Sequence, residues 1–448
     1  MIETKTKLQR YGKYVDSGVE WLGEIPKHWK MKKIKFLSDI FNGDSLNELL
    51  KKRYESDDLK DLAYISSKDI NVNNSEIAYE NGLRIPKEDF SLKIAPSNSS
   101  LLCIEGGSAG RKIAFTNQEV CFVNKLACFK IKGNNYSKYL FFSLKGSPFQ
   151  TQFKLSMTGM IGGVSISSIN NFCLPLPPLS EQTKIAQFLD DKTSKIDVAV
   201  TIKEQQINLL KERKQILIHK AVTQGLNSNV TLKDSGVEWI GKIPKHWEVV
   251  PLRHIGKTQN GLSKGGEYFG SGFPFLTYGD VYKNRTVPNT LSGLAEASIA
   301  DRQQFSIKEG DIFFTRTSET VEDIAFTSTC LNNLENGTFA GFLIRFRPEK
   351  NILYKGFSRY YFSSSTHRSF FVGQMNLVIR ASLSQDHLKR MPVLIPPLSE
   401  QKRISTYIET GSQKIEIAIS LKQQEIEKLK EYKSTLINSV VTGKVKVF

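Results

Sequence analysis

Apolar residues fall on a seven-residue spacing in two long stretches of the chain. In the first, Ile196, Leu210 and Leu217 hold one position of the repeat and Val200, Ile207 and Ala221 another. In the second, Ile415, Leu429 and Leu436 match the first set and Ile419, Ile426 and Val440 the other. So narrow a seam predicts a helix that buries one edge against a partner helix. Upstream of the first stretch, Pro177 and Pro178 fix φ and enforce an extended approach. Ser180 then suits an N-cap, and Glu181 the first turn, where negative charge complements the helix dipole. Gly225 and Gly443 end the two stretches as left-handed caps. The first helix is expected over 181–222, about 60 Å long at the α-helical rise, with residues 190–193 as the place for a bend. Each seam is the natural partner of the other, so the helices are expected to pair antiparallel about a pseudo-two-fold axis. Lys203, Lys214, Lys422 and Lys433 interrupt the seams. A seam lysine either fixes register or snorkels to solvent, and both readings stand.

The matching seams belong to a longer repetition. DSGVEWLGEIPKHW at 16–29 returns as DSGVEWIGKIPKHW at 234–247, with 12 of 14 letters identical. Residues 174–190 return at 393–409, with PPLSEQ unchanged, and 202–225 return at 421–444. The regions between, roughly 30–173 and 248–392, share little sequence. Within them, short apolar runs at 101–104 and 311–314 predict strands, and 136–142 and 354–362 predict helices. A constant frame thus carries two unlike α/β readers. The organisation expected is an N-terminal segment with the first phrase (1–29), a first reader (30–175) and a central repeat with long helix and linker (176–233). The second phrase (234–247), a second reader (248–394) and a C-terminal repeat with the second helix (395–448) follow. The fold class is α+β: two mixed α/β domains joined by two long antiparallel coiled-coil helices, as a pseudo-two-fold tandem duplication. All four tryptophans, Trp21, Trp29, Trp239 and Trp247, lie in the two phrases. Large aromatics among Gly18, Gly23 and Pro26 make a rigid corner. The phrase is read as docking each reader to the helices, in preference to a catalytic Asp, Glu and His.

Size and composition agree with several domains. A chain of 448 residues exceeds one ordinary core. No apolar run is long enough for a membrane span, and the polar N-terminus lacks a secretory signal, so a cytoplasmic protein is expected. Five cysteines, Cys103, Cys121, Cys128, Cys173 and Cys330, form no CxxC pair and read as packed thiols. Six scattered histidines show no HExxH or zinc spacing, so no metal site is expected. The charge changes the picture most. A net charge of +17 attracts polyanions, and nucleic acid, double-stranded DNA included, is the partner it suggests; the alternative is a lysine-rich chain that merely looks basic.

Candidate DNA contacts follow from loop chemistry. IEGGSAGRKIAF at 104–115 puts a glycine turn after a strand, without Walker spacing, and followed by basic residues. It offers Ser108, Arg111 and Lys112 to a phosphate or groove edge, or is simply a tight hairpin. FTRTSETVEDIAF at 314–326 is taken as its counterpart, since IAF recurs at 324–326; it contributes Arg316 and Thr317. That pairing sets Arg316 against Glu105. Lys125, Ser156 and Thr158 complete the first set, and Tyr278, Lys283, Arg285, Arg380 and Ser382 the second. Arg380 suits guanine in a major groove or, equally, a carboxylate.

Two phrases, two variable regions and PPLSEQ entering a long helix twice resemble the specificity subunit of a type I restriction–modification system. The resemblance spans nearly the whole chain. It implies that each reader is a target-recognition domain for one half of a split, asymmetric DNA site, with the helices setting the unread spacer. It also implies recruitment of two methyltransferase subunits, which carry S-adenosylmethionine, and two motor–nuclease subunits, which use ATP and magnesium. The chain itself then has no catalytic residue and binds no cofactor. Two rigidly spaced basic domains also suit two short sites about one DNA turn apart. The rival readings are a self-sufficient DNA methyltransferase or nuclease, and a protein-only coiled-coil adaptor. Neither a P-loop nor an Asn/Asp-Pro-Pro-Tyr/Phe motif is present; both Pro-Pro pairs are followed by Leu-Ser-Glu-Gln.

Overall fold

The structure is a computed structural model, described for residues 9–89, 91–158, 162–318, 324–364, 370–371 and 381–448. It divides into two units, Met1–Glu204 with Gln423–Phe448, and Gln205–Lys422.

In the first unit, the opening phrase folds as a hairpin of β1 (Tyr14–Asp16) and β2 (Glu24–Pro26). The reader follows through β3 (Lys30–Lys33), which pairs antiparallel with the strand that leaves the reader, β12 (Cys173–Leu176). Between these neck strands stand two sheets. One has the order β4 (Ser38–Asn42), β11 (Leu126–Ile131), β8 (Ser100–Cys103), β9 (Ile113–Phe115). The other has the order β6 (Arg84–Ile85), β5 (Leu62–Ile65), β10 (Val120–Phe122), β7 (Ile94–Ala95), with β10 and β5 parallel. Helices α1 (Ser137–Lys145) and α2 (Ser147–Leu155) cover the first sheet. Their Phe142, Phe149 and Phe153 are buried with Phe129 and Leu102 in one core.

The second unit repeats the plan. Its hairpin is β13 (Leu232–Asp234) with β14 (Lys242–Pro244), and its neck is β15 (Glu248–Pro251) with β25 (Pro392–Ile395). Its main sheet has the order β16 (Gly256–Asn260), β23 (Leu343–Pro348), β19 (Ile312–Thr315), β21 (Thr327–Thr329). Leu102 pairs with Ala127 and Ile113, and Phe314 pairs with Ile344 and Thr327. The sheets therefore match strand for strand, although the sequences do not. A second sheet holds β18 (Leu294–Ala295), β17 (Phe269–Leu276) and β22 (Thr338–Phe339), with β17 and β22 parallel. Helix α3 of the chain is the first long one, Leu179–Gln224; α4 (Tyr278–Lys283) and α5 (Lys355–Tyr361) belong to the second reader, and α6 is the second long helix, Leu398–Val441.

The long helices start earlier than their sequence signals suggest. Ser180 lies inside the first turn of α3, and Pro178 stands in the capping position. The amides of Glu181 and Gln182 donate to the Pro178 carbonyl at 2.9 and 3.0 Å, and Glu400 and Gln401 do the same to Pro397. The fixed φ of proline suits the extended approach to the helix. No break occurs at 190–193: α3 continues, and Thr193 Oγ1 donates to the Leu189 carbonyl within it. Gly225 and Gly443 do take left-handed φ values, +74° and +70°.

Within each unit the two helices run antiparallel. In the first, Lys203 meets Glu425 at 2.5 Å and Lys433 meets Asp197 at 2.6 Å, so α6 numbering falls as α3 numbering rises. In the second, Lys214 meets Glu416 at 2.6 Å, and Leu217 lies against Gly411. Ile196, Val200, Ile426, Leu436 and Val440 are buried in the first unit; Ile207, Ala221, Ile415 and Ile419 are buried in the second. Leu210, Leu217 and Leu429 are half-buried. Lys203, Lys214 and Lys433 bind carboxylates on the facing helix, which favours the register-fixing reading for these three over snorkelling.

Candidate nucleic-acid interface

The frame residues are held first. In the first unit, Glu181 accepts from Trp29 Nε1 at 3.0 Å and from Tyr11 Oη at 3.2 Å, and His28 Nε2 lies 2.7 Å from its other oxygen. In the second, Glu400 accepts from Trp247 Nε1 at 3.1 Å, with His246 Nε2 at 2.9 Å. Trp29 and Trp247 are buried, so each indole N–H requires an acceptor. The neighbouring glutamine grips the reader. Gln182 Oε1 accepts from the Tyr136 amide at 2.9 Å, and Gln401 Oε1 accepts from the Tyr354 amide at 2.7 Å. Both amides sit at the entrance of a reader helix. The Glu-Gln of PPLSEQ thus ties phrase and reader to the first turn of a long helix, and the phrase has a docking role.

Three loops of the first reader meet at one end of its main sheet. The Ile104 amide donates to Lys125 O at 2.9 Å, the Gly106 amide to Gly162 O at 2.8 Å, and the Val164 amide to Ile104 O at 3.0 Å. Thr158 and Gly163 exchange backbone hydrogen bonds at 3.0 and 3.1 Å. This clustering brings together Ser108, Arg111, Lys112, Lys125, Ser156 and Thr158. Arg111, Lys125 and Thr158 are exposed, and Ser108 and Ser156 are half-buried. Lys112 turns inward, donating to Ser67 O at 2.6 Å, and the Arg111 guanidinium folds back onto Gly107 O at 2.5 Å.

The second reader builds the same end differently. The Arg316 amide donates to Phe342 O at 2.9 Å, and the Leu383 amide donates to Arg316 O at 2.7 Å. These bonds set Arg316 opposite Ile104, which corrects the expected match with Glu105. The shared IAF is misleading too: 113–115 is a strand, whereas 324–326 precedes β21, whose Thr327 takes the place of Ile113. Beyond Arg316, β20 (Thr317–Ser318) pairs with β24 (Ala381–Ser382), as Glu105 pairs with Gly163 in the first reader. Tyr278 Oη donates to Thr317 O at 3.0 Å and joins that group. The Tyr278 ring stacks near Tyr282, whose ring lies 4.8 Å from Phe326. Lys283 and Arg285 line a cleft of about 240 Å³ with Tyr282, Phe326 and Thr327. Arg380 lies outside the described residues.

Sequence reasoning missed Glu181 and Glu400 as partners of the tryptophans, although His-Trp and Ser-Glu-Gln recur together. Among the described residues, no group of three or more His, Cys, Asp or Glu side chains is placed to hold a metal ion. Burial pushes the thiols of Cys121, Cys128 and Cys330 up to about 12, which disfavours the reactive thiolate. Among the described residues, no helix is long and apolar enough to cross a membrane.

Two units with one plan and unlike loops correspond to a known arrangement. The description "Type I restriction modification DNA specificity domain" matches residues 26–211 and 244–431. The chain belongs to this family. It is 26% identical over 400 residues to the type I restriction enzyme MjaVIII specificity subunit of Methanocaldococcus jannaschii, covering 86% of this chain and 84% of that one. It is 26% identical over 407 residues to the EcoKI specificity subunit of Escherichia coli K12, covering 86% and 82%. A chain from a structure concerned with complex assembly and conformational transition of the type I R-M system superposes with a TM-score of 0.68. It is 14% identical, with 94% of this chain and 99% of that chain covered. The HsdS subunit of Thermoanaerobacter tengcongensis gives 0.53 at 16% identity, covering 94% and 98%. Specificity subunits of this family recognise DNA and leave catalysis to other subunits.

Proposed function

We propose that the chain reads a bipartite, asymmetric duplex target as part of a type I restriction–modification complex. Each reader contacts one half-site through its loop cluster: Lys125, Arg111 and Thr158 in the first, Arg316, Thr317 and Tyr278 in the second. The long helices fix the unread spacer. The frame recruits two methyltransferase subunits, which supply S-adenosylmethionine, and two motor–nuclease subunits, which supply ATP and magnesium chemistry. The complex works where the chromosome is, in the cytoplasm. The observation that carries this reading is the pair of matched sheets with unlike loop ends, on a chain of net charge +17. Equal scaffolds position two loop sets equivalently, and different side chains then read different bases. Phosphate contacts supply most of the affinity, so log K falls steeply with log salt.

The test begins with the target, obtained by methylome sequencing of the host with and without this chain. Purified chain is then titrated with that duplex across salt concentrations. Lys125→Ala should flatten the salt slope by about one unit and weaken all sequences alike, as loss of one phosphate contact does. Binding without salt dependence would instead support a protein-only adaptor. Methyl transfer by the isolated chain from labelled S-adenosylmethionine would support a self-sufficient enzyme.

A further inference from the structure

Each reader enters the same inner strand of its main sheet, β11 in the first and β23 in the second, through the same turn. The Leu126 amide donates to Val123 O at 3.0 Å, and the Leu343 amide donates to Ala340 O at 2.9 Å. The neighbouring strand is tied to both turns alike. The Ile104 amide donates to Lys125 O at 2.9 Å, and the Arg316 amide to Phe342 O at 2.9 Å. Val123, Asn124, Lys125 and Leu126 therefore correspond to Ala340, Gly341, Phe342 and Leu343. Leu126 and Leu343 are buried and anchor the turns. The position before them is exposed in both readers, and it is Lys125 in one and Phe342 in the other.

Phe342 is 65% exposed, more than any other phenylalanine among the described residues. The backbone that carries it is nevertheless fixed. The Gly341 amide donates to Leu262 O at 2.9 Å and the Ala340 amide to Leu276 O at 3.0 Å, while a Cβ on Gly341 would run into Ser263 Oγ. Ala340 and Leu343 are the buried side chains of the turn, so its packing does not require a ring at 342. A lone apolar residue on a surface is ordinary. This one stands in the second loop cluster, against Arg316, whose own carbonyl accepts from the Leu383 amide at 2.7 Å.

We propose that Phe342 reads a thymine of the second half-site by seating its ring on the C5 methyl group in the major groove. This rests on the reading above. A lysine at this place suits a phosphate, but a phenyl ring has no hydrogen bond to give. Among the groups that DNA displays in its major groove, the thymine methyl is the apolar one. Contact between them removes apolar surface of both partners from water. A turn already fixed loses little freedom on binding, so the gain is kept. One equivalent place is then a backbone grip in the first reader and a base sensor in the second.

The test uses the full chain and its target duplex. Each thymine of the second half-site, on either strand, is replaced in turn by deoxyuridine, which lacks only the methyl group. One replacement should weaken wild-type binding about fourfold, the worth of one buried methyl. Phe342→Ala should weaken binding to the unsubstituted duplex by at least as much, and should bind that duplex and its deoxyuridine form equally. Phe342→Leu keeps an apolar side chain and should still discriminate at the same position, which separates loss of the contact from loss of fold. Replacements in the first half-site should affect wild type and Phe342→Ala alike. If no replacement separates wild type from Phe342→Ala while the chain still binds its asymmetric target, this proposal alone is overturned. It is overturned too if deoxyuridine has no effect and 2-aminopurine in the half-site brightens with wild type but not with Phe342→Ala, since the ring is then a wedge between base pairs. A chain that binds no asymmetric duplex would overturn the parent reading as well.

Discussion

Trp29 Nε1 lies 3.0 Å from Glu181 Oε2, across 152 residues of chain. That bond fastens the repeated phrase to the first turn of a long helix, and Trp247 with Glu400 makes the same bond at 3.1 Å. Glu181→Ala strands a buried indole N–H, His28 and Tyr11 together. A loss of about 2–3 kcal/mol is expected from the orphaned donors, measured by urea denaturation. Glu181→Gln keeps one acceptor oxygen and should lose less. Unchanged stability in the alanine variant would remove the docking role of the phrase.

The end of α3 offers a paired comparison of glycines. Gly225 and Gly241 share a left-handed φ, +74° and +69°. A Cβ on Gly225 would stand 2.8 Å from Glu400 Oε1 and 3.2 Å from Trp247, whereas nothing lies within 4 Å of one on Gly241. Gly241→Ala should therefore lose only the conformational term, about 1–2 kcal/mol, and Gly225→Ala distinctly more. Equal losses in thermal unfolding would show that the close approach has no weight.

The helix ion pairs should differ in strength with burial. Lys433 is 8% exposed and takes both Asp197 oxygens, at 2.6 and 2.7 Å. A double-mutant cycle of Lys433→Met and Asp197→Asn should give a coupling of about 1–3 kcal/mol. The same cycle for the more exposed Lys214 and Glu416 should give about 0.3–1 kcal/mol. Added salt should reduce the second coupling more than the first.

Lys145 makes a pH prediction. Its ammonium donates to Ser75 Oγ at 2.9 Å and lies over the Phe141 ring. Burial, then the neighbouring Lys433, push it down to about 7 from 10.5. The folded state thus favours the neutral amine, and the unfolded chain binds more protons between about pH 7 and 10.5. Stability from this group rises with pH across that window. Lys145→Met should stabilise most at and below neutral pH, and its advantage should shrink by pH 10. A pH-independent difference in unfolding free energy would refute the shift.

The proposed spacer role predicts a geometric result. Removing seven residues from each long helix shortens it by about 10 Å, the length of about three base pairs. Methylome sequencing should find both half-sites kept and the spacer shortened. Changed half-sites with the old spacer would contradict the role.

The frame was legible in the sequence because it is periodic and written twice. A seven-residue seam, paired prolines and a repeated aromatic phrase each carry a local signal. The readers were legible only as a mixture of strands and helices. Strands β5, β8 and β19 are buried at every residue, so they lack the alternation that marks a half-exposed strand. Their common sheet order is held by backbone pairing, which tolerates Ile104 in one copy and Arg316 in the other. For that reason three matching letters, IAF, could set the alignment wrong. Basic loop residues were named from type alone, and type does not tell Lys125, which is exposed, from Lys112, which is turned onto Ser67.

Each reader begins and ends on strands that lie side by side, Lys30–Lys33 against Cys173–Leu176 and Glu248–Pro251 against Pro392–Ile395. A polypeptide that departs and returns through one narrow stem can be exchanged as a cassette, because only four rungs of backbone must be matched on each side. Backbone rungs make few demands on side chains, so foreign cassettes should be accepted readily. Gene exchange across such stems would give a cell new target words without rebuilding the rest of the chain.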